Sequence, residues 1–235
     1  WVFTLARHGA PMSIGQIFQA PAVSLGPVAI TYQATYNDLT NRTVYTSSSH
    51  AIGTASADRI VVVSISTDMI TSTTLDSVSI GGSAATKIAE AVKDGKNTPS
   101  MWYRLVTAGT TADIVATFSA GQTNCAITTW SVTGAGSAIV LTASDTDTPA
   151  TGNQPTTTVA IAAGGGAISE VMHDGASTAT WAGVDEDHDT NPSGLFYSGG
   201  SKIFAAADAD LVVAPTLSNT TSNNIRLLTI SIAPG

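Results

Sequence analysis

At 235 residues, 43% of them hydrophobic, the chain can bury a sizeable core, and a β-sandwich of this length stays a single domain. Only 11% of the residues are charged, well under the ~25% usual in soluble domains, so Thr, Ser, Asn and Gly must cover much of the surface. A formal net charge of −8, with nine Lys and Arg scattered along the chain, disfavours a nucleic-acid partner, and none is expected, because no basic stripe exists to displace counterions.

In chain order, Trp1–Pro27 is broken by Gly9, Pro11, Gly15, Pro21, Gly26 and Pro27 and reads as an extended N-terminal arm. Such a segment needs its own domain or a neighbouring subunit to lie against. Trp1–Ala20 lacks the basic region and apolar core of a signal peptide. The chain opens at Trp1, with Met12 its first methionine, so processing or a different start is expected. No apolar run approaches the ~18 residues of a membrane span, so membrane insertion is not expected.

Val28–Tyr32 and Thr43–Tyr45 predict early strands. Ile60–Ser66 follows, and its unbroken β-branched start predicts burial on both faces. Thr74–Ile80 ends at Gly81-Gly82. Asp94-Gly95 marks a tight turn, which makes Thr86–Val92 and Met101–Val106 the arms of a hairpin. Asp113–Phe118 places Ile114, Ala116 and Phe118 on one face, and Ala126–Val132 does the same with Thr128, Trp130 and Val132; both predict half-buried strands. Cys125, in the same stretch, is expected to be a buried thiol. As the single cysteine it excludes an internal disulfide and a cysteine-based zinc site.

The second half repeats this order more faintly. Thr157–Ile161 and Gly166–Val171 correspond to Ile60–Ser66, Ala179–Val184 to Thr74–Ile80, and Gly194–Ser198 to Met101–Val106. Ala209-Asp210-Leu211-Val212 echoes Ala112-Asp113-Ile114-Val115, and Ile225–Ile232 echoes the strand through Trp130. The pattern predicts an all-β chain: one antiparallel two-sheet jelly-roll β-sandwich over 28–235, built from two similar four-strand halves, 28–136 and 157–235. The Thr-, Asp- and Pro-rich stretch 137–156 reads as a surface crossover between them. Two independent domains are disfavoured, since each half on its own shows too few apolar strands to cover itself.

Several segments carry a resemblance. Ile52 to Val63, Val78 to Thr86, Trp102 to Val115 and Thr180 to Asp187 resemble a β-sandwich domain of uncharacterised tailed-phage and prophage virion proteins. The resemblance covers about Ile52–Pro234 and implies a component of the head or tail, with no catalytic residues attached to the pattern. The arm lies outside it.

The densest set of oxygen ligands is Asp185-Glu186-Asp187-His188-Asp189. Asp185, Asp187 and Asp189 have the first spacings of a Ca²⁺ loop, but Thr190 stands where the bending glycine belongs and Phe196 where the closing carboxylate would be. A solvated acidic loop is the plainer reading. Trp181 beside it is the one attractive ring for a sugar platform, against a plain packing role for Trp102, Tyr103 and Trp130. A two-carboxylate glycosidase would draw on Glu170 and Asp185 and needs a defined separation between them. His8, His50, His173 and His188 show no ligand spacing and read as loop or surface residues. Gly164-Gly-Gly166 lacks the setting of a nucleotide cradle and reads as a turn.

Together these readings predict a non-enzymatic structural protein of a tailed phage-like virion, a decoration, spike or tail-fibre type module with no cofactor beyond the candidate Ca²⁺. The expected partners are other virion proteins and copies of itself, assembled in the bacterial cytoplasm and then extracellular. The alternative is a carbohydrate-binding adhesin module that recognises a host-surface glycan through Trp181 and the acidic stretch.

Overall fold

The computed structural model describes residues 26–67, 73–92, 98–136, 141–221 and 224–235, and the only helical turn within them is a 3₁₀ segment, Pro192–Gly194. All but Gly26 and Pro27 of the expected arm, together with His8 and the Asp94-Gly95 hairpin tip, lie outside the described residues. The fold is all-β. The first half contributes β1 (Ala29–Asp38), β2 (Arg42–Ala51), β3 (Ile60–Ser66), β4 (Leu75–Ile80), β5 (Ser83–Ala84), β6 (Thr86–Glu90), β7 (Ser100–Leu105), β8 (Thr111–Gln122) and β9 (Cys125–Thr133). The second contributes β10 (Leu141–Asp147), β11 (Thr157–Ile161), β12 (Gly166–Asp174), β13 (Ala179–Ala182), β14 (Asp185–Thr190), β15 (Leu195–Ile203), β16 (Asp208–Leu217) and β17 (Arg226–Ile232).

These strands form four antiparallel sheets. Two belong to the first half, β1-β9-β3-β7-β6 and β2-β8-β4-β5, and two to the second, β10-β17-β12-β15-β14 and β11-β16-β13. The larger sheets match position for position, and so do β2-β8-β4 and β11-β16-β13. Among the described residues all sheet pairing stays inside one half, so each half is a β-sandwich-like unit with two sheets of its own. The expected all-β, antiparallel β-sandwich class stands, while the expected count of two sheets is corrected to four. The stretch taken for a crossover contains β10, paired to β17, and the acidic stretch is β14, paired to β15. With these strands counted, each half has enough sheet to enclose a core.

Strand alternation then sorts the core into layers. Val61, Val63 and Ile65 of β3 face Tyr45, Val78, Ile114 and Phe118 inside the first half. Ile60 and Val62 point the other way, where they join Trp130 and Val132 against Ile168, Leu228, Ile230 and Ile232 of the second half. The two five-stranded sheets thus pack on each other, and β3 is buried on both faces, as its apolar run predicts. The same contact buries β9 on both faces, where half burial is expected from its own sequence. Each large apolar side chain sealed at this junction contributes about 1.5–3 kcal/mol. Hydrogen bonds cross the junction too: Tyr197 Oη donates to Asn124 Oδ1 at 2.6 Å, and the buried Arg226 donates to the Thr98 carbonyl at 2.9 Å.

Candidate functional site

Among the described residues, a cluster of ionisable groups lies at this junction. Glu170 points from the middle of β12 toward the first half and is fully buried. Beside it, β14 carries a bulge between Glu186 and His188 that turns the His188 imidazole inward, opposite Gly199 of β15. His188 Nε2 and Glu170 Oε2 lie 3.3 Å apart. A Cβ at Gly199 would fall 2.6 Å from His188 Nε2 and 2.7 Å from Glu170 Oε2, so only glycine leaves room for the pair. From the first half, Tyr32 stacks on the imidazole with ring centroids 5.5 Å apart, and Trp130 Nε1 donates to Asp187 Oδ2 at 2.7 Å.

Burial pushes the Glu170 carboxyl up from its ordinary range, against the pull of His188. Burial also raises Asp187, against the hydrogen bonds from Trp130 and Ser201. Burial alone would lower His188, but the carboxylates of Glu170, Asp187 and Asp189 together hold it above its ordinary value. Glu170 and His188 are buried while Asp187 and Tyr32 are half-buried at the margin, and the cluster can bind the halves to each other and store protons.

The candidates from sequence fall in different places. Asp187 enters the junction, while Asp189 Oδ2 accepts from the Ala179 amide at 3.2 Å and Asp185 stands exposed near Lys202. No group of three or more His, Cys, Asp or Glu side chains suited to a metal occurs among the described residues. The acidic stretch is an edge strand and not a loop, and the bulge between Glu186 and His188 breaks the alternation that would have put its aspartates on one face, so they meet different partners. Trp181 donates from Nε1 to Ser198 Oγ at 2.8 Å and packs against both apolar clusters of the second half, so it is turned inward. Glu170 and Asp185 do not share a cleft, since Glu170 is sealed and the Asp185 side chain is 76% exposed. The glycosidase reading is set aside on that ground.

The histidines correct the expectation of surface positions: His50, His173 and His188 are all buried. His50 Nδ1 lies 2.7 Å from Ser47 Oγ and its Nε2 3.0 Å from Thr129 Oγ1. This Ser–His contact has no carboxylate to orient it, and Ser47 is only 3% exposed, so it pins the bulge of β2 to β9 and does not present a nucleophile. Cys125 is buried as expected, and burial pushes its thiol pKa far up.

A second feature is open to solvent. The loops Ile52–Arg59 and Val106–Thr110, with β1 and β9 beneath them, frame a cleft of about 820 Å³ at one end of the first half. Arg59, fully buried behind it, donates to the carbonyls of Gly53, Val106, Ala108 and Gly109. Sequence reasoning passed over Arg59 and the Glu170–His188 pair. The signal for both was a lone charge inside or beside an apolar strand, which must find partners when the strand is covered.

No known protein family, curated protein or solved structure matches the chain.

Proposed function

We propose that the chain is a non-enzymatic structural protein of a tailed phage-like virion, a surface-displayed decoration, spike or tail-fibre type module. Each half is a jelly roll. In support, β1-β9-β3-β7 and β2-β8-β4 follow the two-sheet order of a double Greek key, and the run Ser83–Glu90 leaves one sheet as β5 and enters the other as β6. The observation that carries the reading is the duplicated wall itself. Two sandwich-like units are fused back to back, and the densest charged chemistry of the described residues is locked between them. Such a body acts by geometry: a rigid block presents Thr- and Ser-rich faces, and weak contacts gain strength through many copies.

In this reading the partners are copies of the chain and other virion proteins. Assembly takes place in the bacterial cytoplasm, the mature location is the virion, and residues 1–25 serve as the anchor. The test is the oligomeric state of the full chain by mass measurement and imaging. Assemblies are expected, and deletion of residues 1–25 should abolish them without changing thermal unfolding. A full chain that stays monomeric, or assembly that survives the deletion, overturns the proposal of an anchored subunit.

A further inference from the structure

The open cleft of the first half has a chemistry of its own. Its lining is Thr, Ser, Ala and Gly apart from Gln33 and Asp58, and seven of the side chains are hydroxyls. With no aromatic ring and no large aliphatic in the lining, it has nothing to hold an apolar ligand. An anion would meet no Lys, Arg or His there, and would meet the Asp58 carboxylate. That carboxylate accepts hydrogen bonds from Ser56 Oγ and, at 2.8 Å, from the Gly134 amide, which hold its pKa below the ordinary range and keep it ionised. Two bonds leave a carboxylate further acceptor sites, while hydroxyls rotate to give or take a hydrogen bond. The surface suits a neutral partner rich in hydroxyls.

The walls are also fixed in advance. Arg59 ties both loops together through four carbonyls, with Nε to Val106 O at 2.8 Å and Nη2 to Ala108 O at 2.8 Å. Gly53 has φ 85°, and its loop rests on the floor so closely that a Cβ would lie 2.9 Å from Ser131 Cβ. A buried cation committed wholly to backbone carbonyls is an expensive way to hold a loop, and a site held rigid loses less entropy when it binds. The second half has no counterpart, since β11 and β12 are joined by Ala162–Gly165 alone.

We infer that this cleft binds a neutral sugar residue, with Asp58 and Gln33 as the orienting polar groups and the Thr and Ser hydroxyls of β1 and β9 as the floor. The inference is independent of the virion reading. It also places glycan recognition far from Trp181 and the acidic strand, so a chelator should not affect it.

The test is a printed array of neutral and acidic glycans probed with the full chain, its Thr31→Trp variant, which fills the cleft from an exposed position, and Gln33→Ala. Binding to neutral glycans is expected, unchanged by EDTA and at least tenfold weaker in both variants at unchanged melting temperature. Absence of any neutral-glycan signal, a preference for acidic glycans, or binding that survives Thr31→Trp overturns the inference. Particle assembly is read in the same Thr31→Trp sample. It should persist, and its loss would mark the cleft as a subunit contact and overturn the glycan site without touching the structural role.

Discussion

The two halves solve the same packing problem at one pair of equivalent positions in opposite ways. In the first, β3 places Ser64 opposite Met101 of β7, and the bulge of β6 places Ala89 opposite the same residue. In the second, the matching register puts Glu170 opposite Gly199, and the matching bulge of β14 puts His188 there. Where the first half fills the space with a methionine side chain, the second removes the side chain altogether and lets an imidazole meet a carboxylate. Met101 lies in the apolar cluster with Leu228 and Ile230, while the His188–Glu170 pair lies under Tyr32 and Trp130. One end of the junction is therefore held by oil and the other by charge. The backbone accepts either, so the shared topology does not depend on the ion pair.

The sharpest way to break that comparison is to remove one partner. His188→Ala leaves Glu170 buried and unpaired, and the expected loss is about 3–5 kcal/mol in urea unfolding, the range for breaking a buried pair. The triple change Glu170→Ser, Gly199→Met, His188→Ala copies the first half's solution into the second with side-chain volume nearly conserved. It should recover all but about 1–2 kcal/mol of the single variant's loss. A triple variant no more stable than His188→Ala would show that the two ends of the junction are not interchangeable.

The smallest effect is the most diagnostic. Glu170, Asp187 and His188 all have folded values above their ordinary 4.5, 3.8 and 6.5. A group raised on folding gives its full stabilisation below its unfolded value and loses it as pH rises through the folded value. The second half should therefore weaken as pH rises, with the contributions of Asp187 and Glu170 fading above 3.8 and 4.5 and that of His188 above 6.5. His50 in the first half is lowered by burial, so its contribution is present above 6.5 and lost as pH falls through its folded value. Melting temperature measured from pH 5 to 9 should fall on the alkaline side in the unaltered chain. That decline should flatten when Glu170→Gln and His188→Gln are combined, while the acid-side loss remains.

Much of the architecture is legible in the sequence because the junction is written in β-branched residues. Ile60–Ser66 can be buried on both faces only if something covers each one, and the paired echoes of Ala-Asp-aliphatic mark the repeat. The number of layers was not legible. β10 reads Leu-Thr-Ala-Ser-Asp-Thr-Asp and β14 reads Asp-Glu-Asp-His-Asp-Thr, compositions that local propensity assigns to loops. They are strands because β17 and β15 offer them ladders, a tertiary fact with no local trace. The bulge at His188 hid the site further by breaking the alternation that would have marked the imidazole as inward. Glu170 was the legible part of the pair, a single carboxylate in the run Ala-Ile-Ser-Glu-Val-Met, whose neighbours could be buried only if it had a partner.

The acidic strand β14 has one more consequence. It and β6 are the equivalent edge strands of the two larger sheets, where outward-facing amides and carbonyls invite strangers to add a strand. Lys87 and Glu90 guard one rim, and Asp185, Glu186 and Asp189 guard the other. Crowded identical copies would repel one another there before their backbones could zip together. The stretch richest in carboxylates thus serves as a fence against runaway fibre growth, and it leaves orderly contacts to the neutral faces.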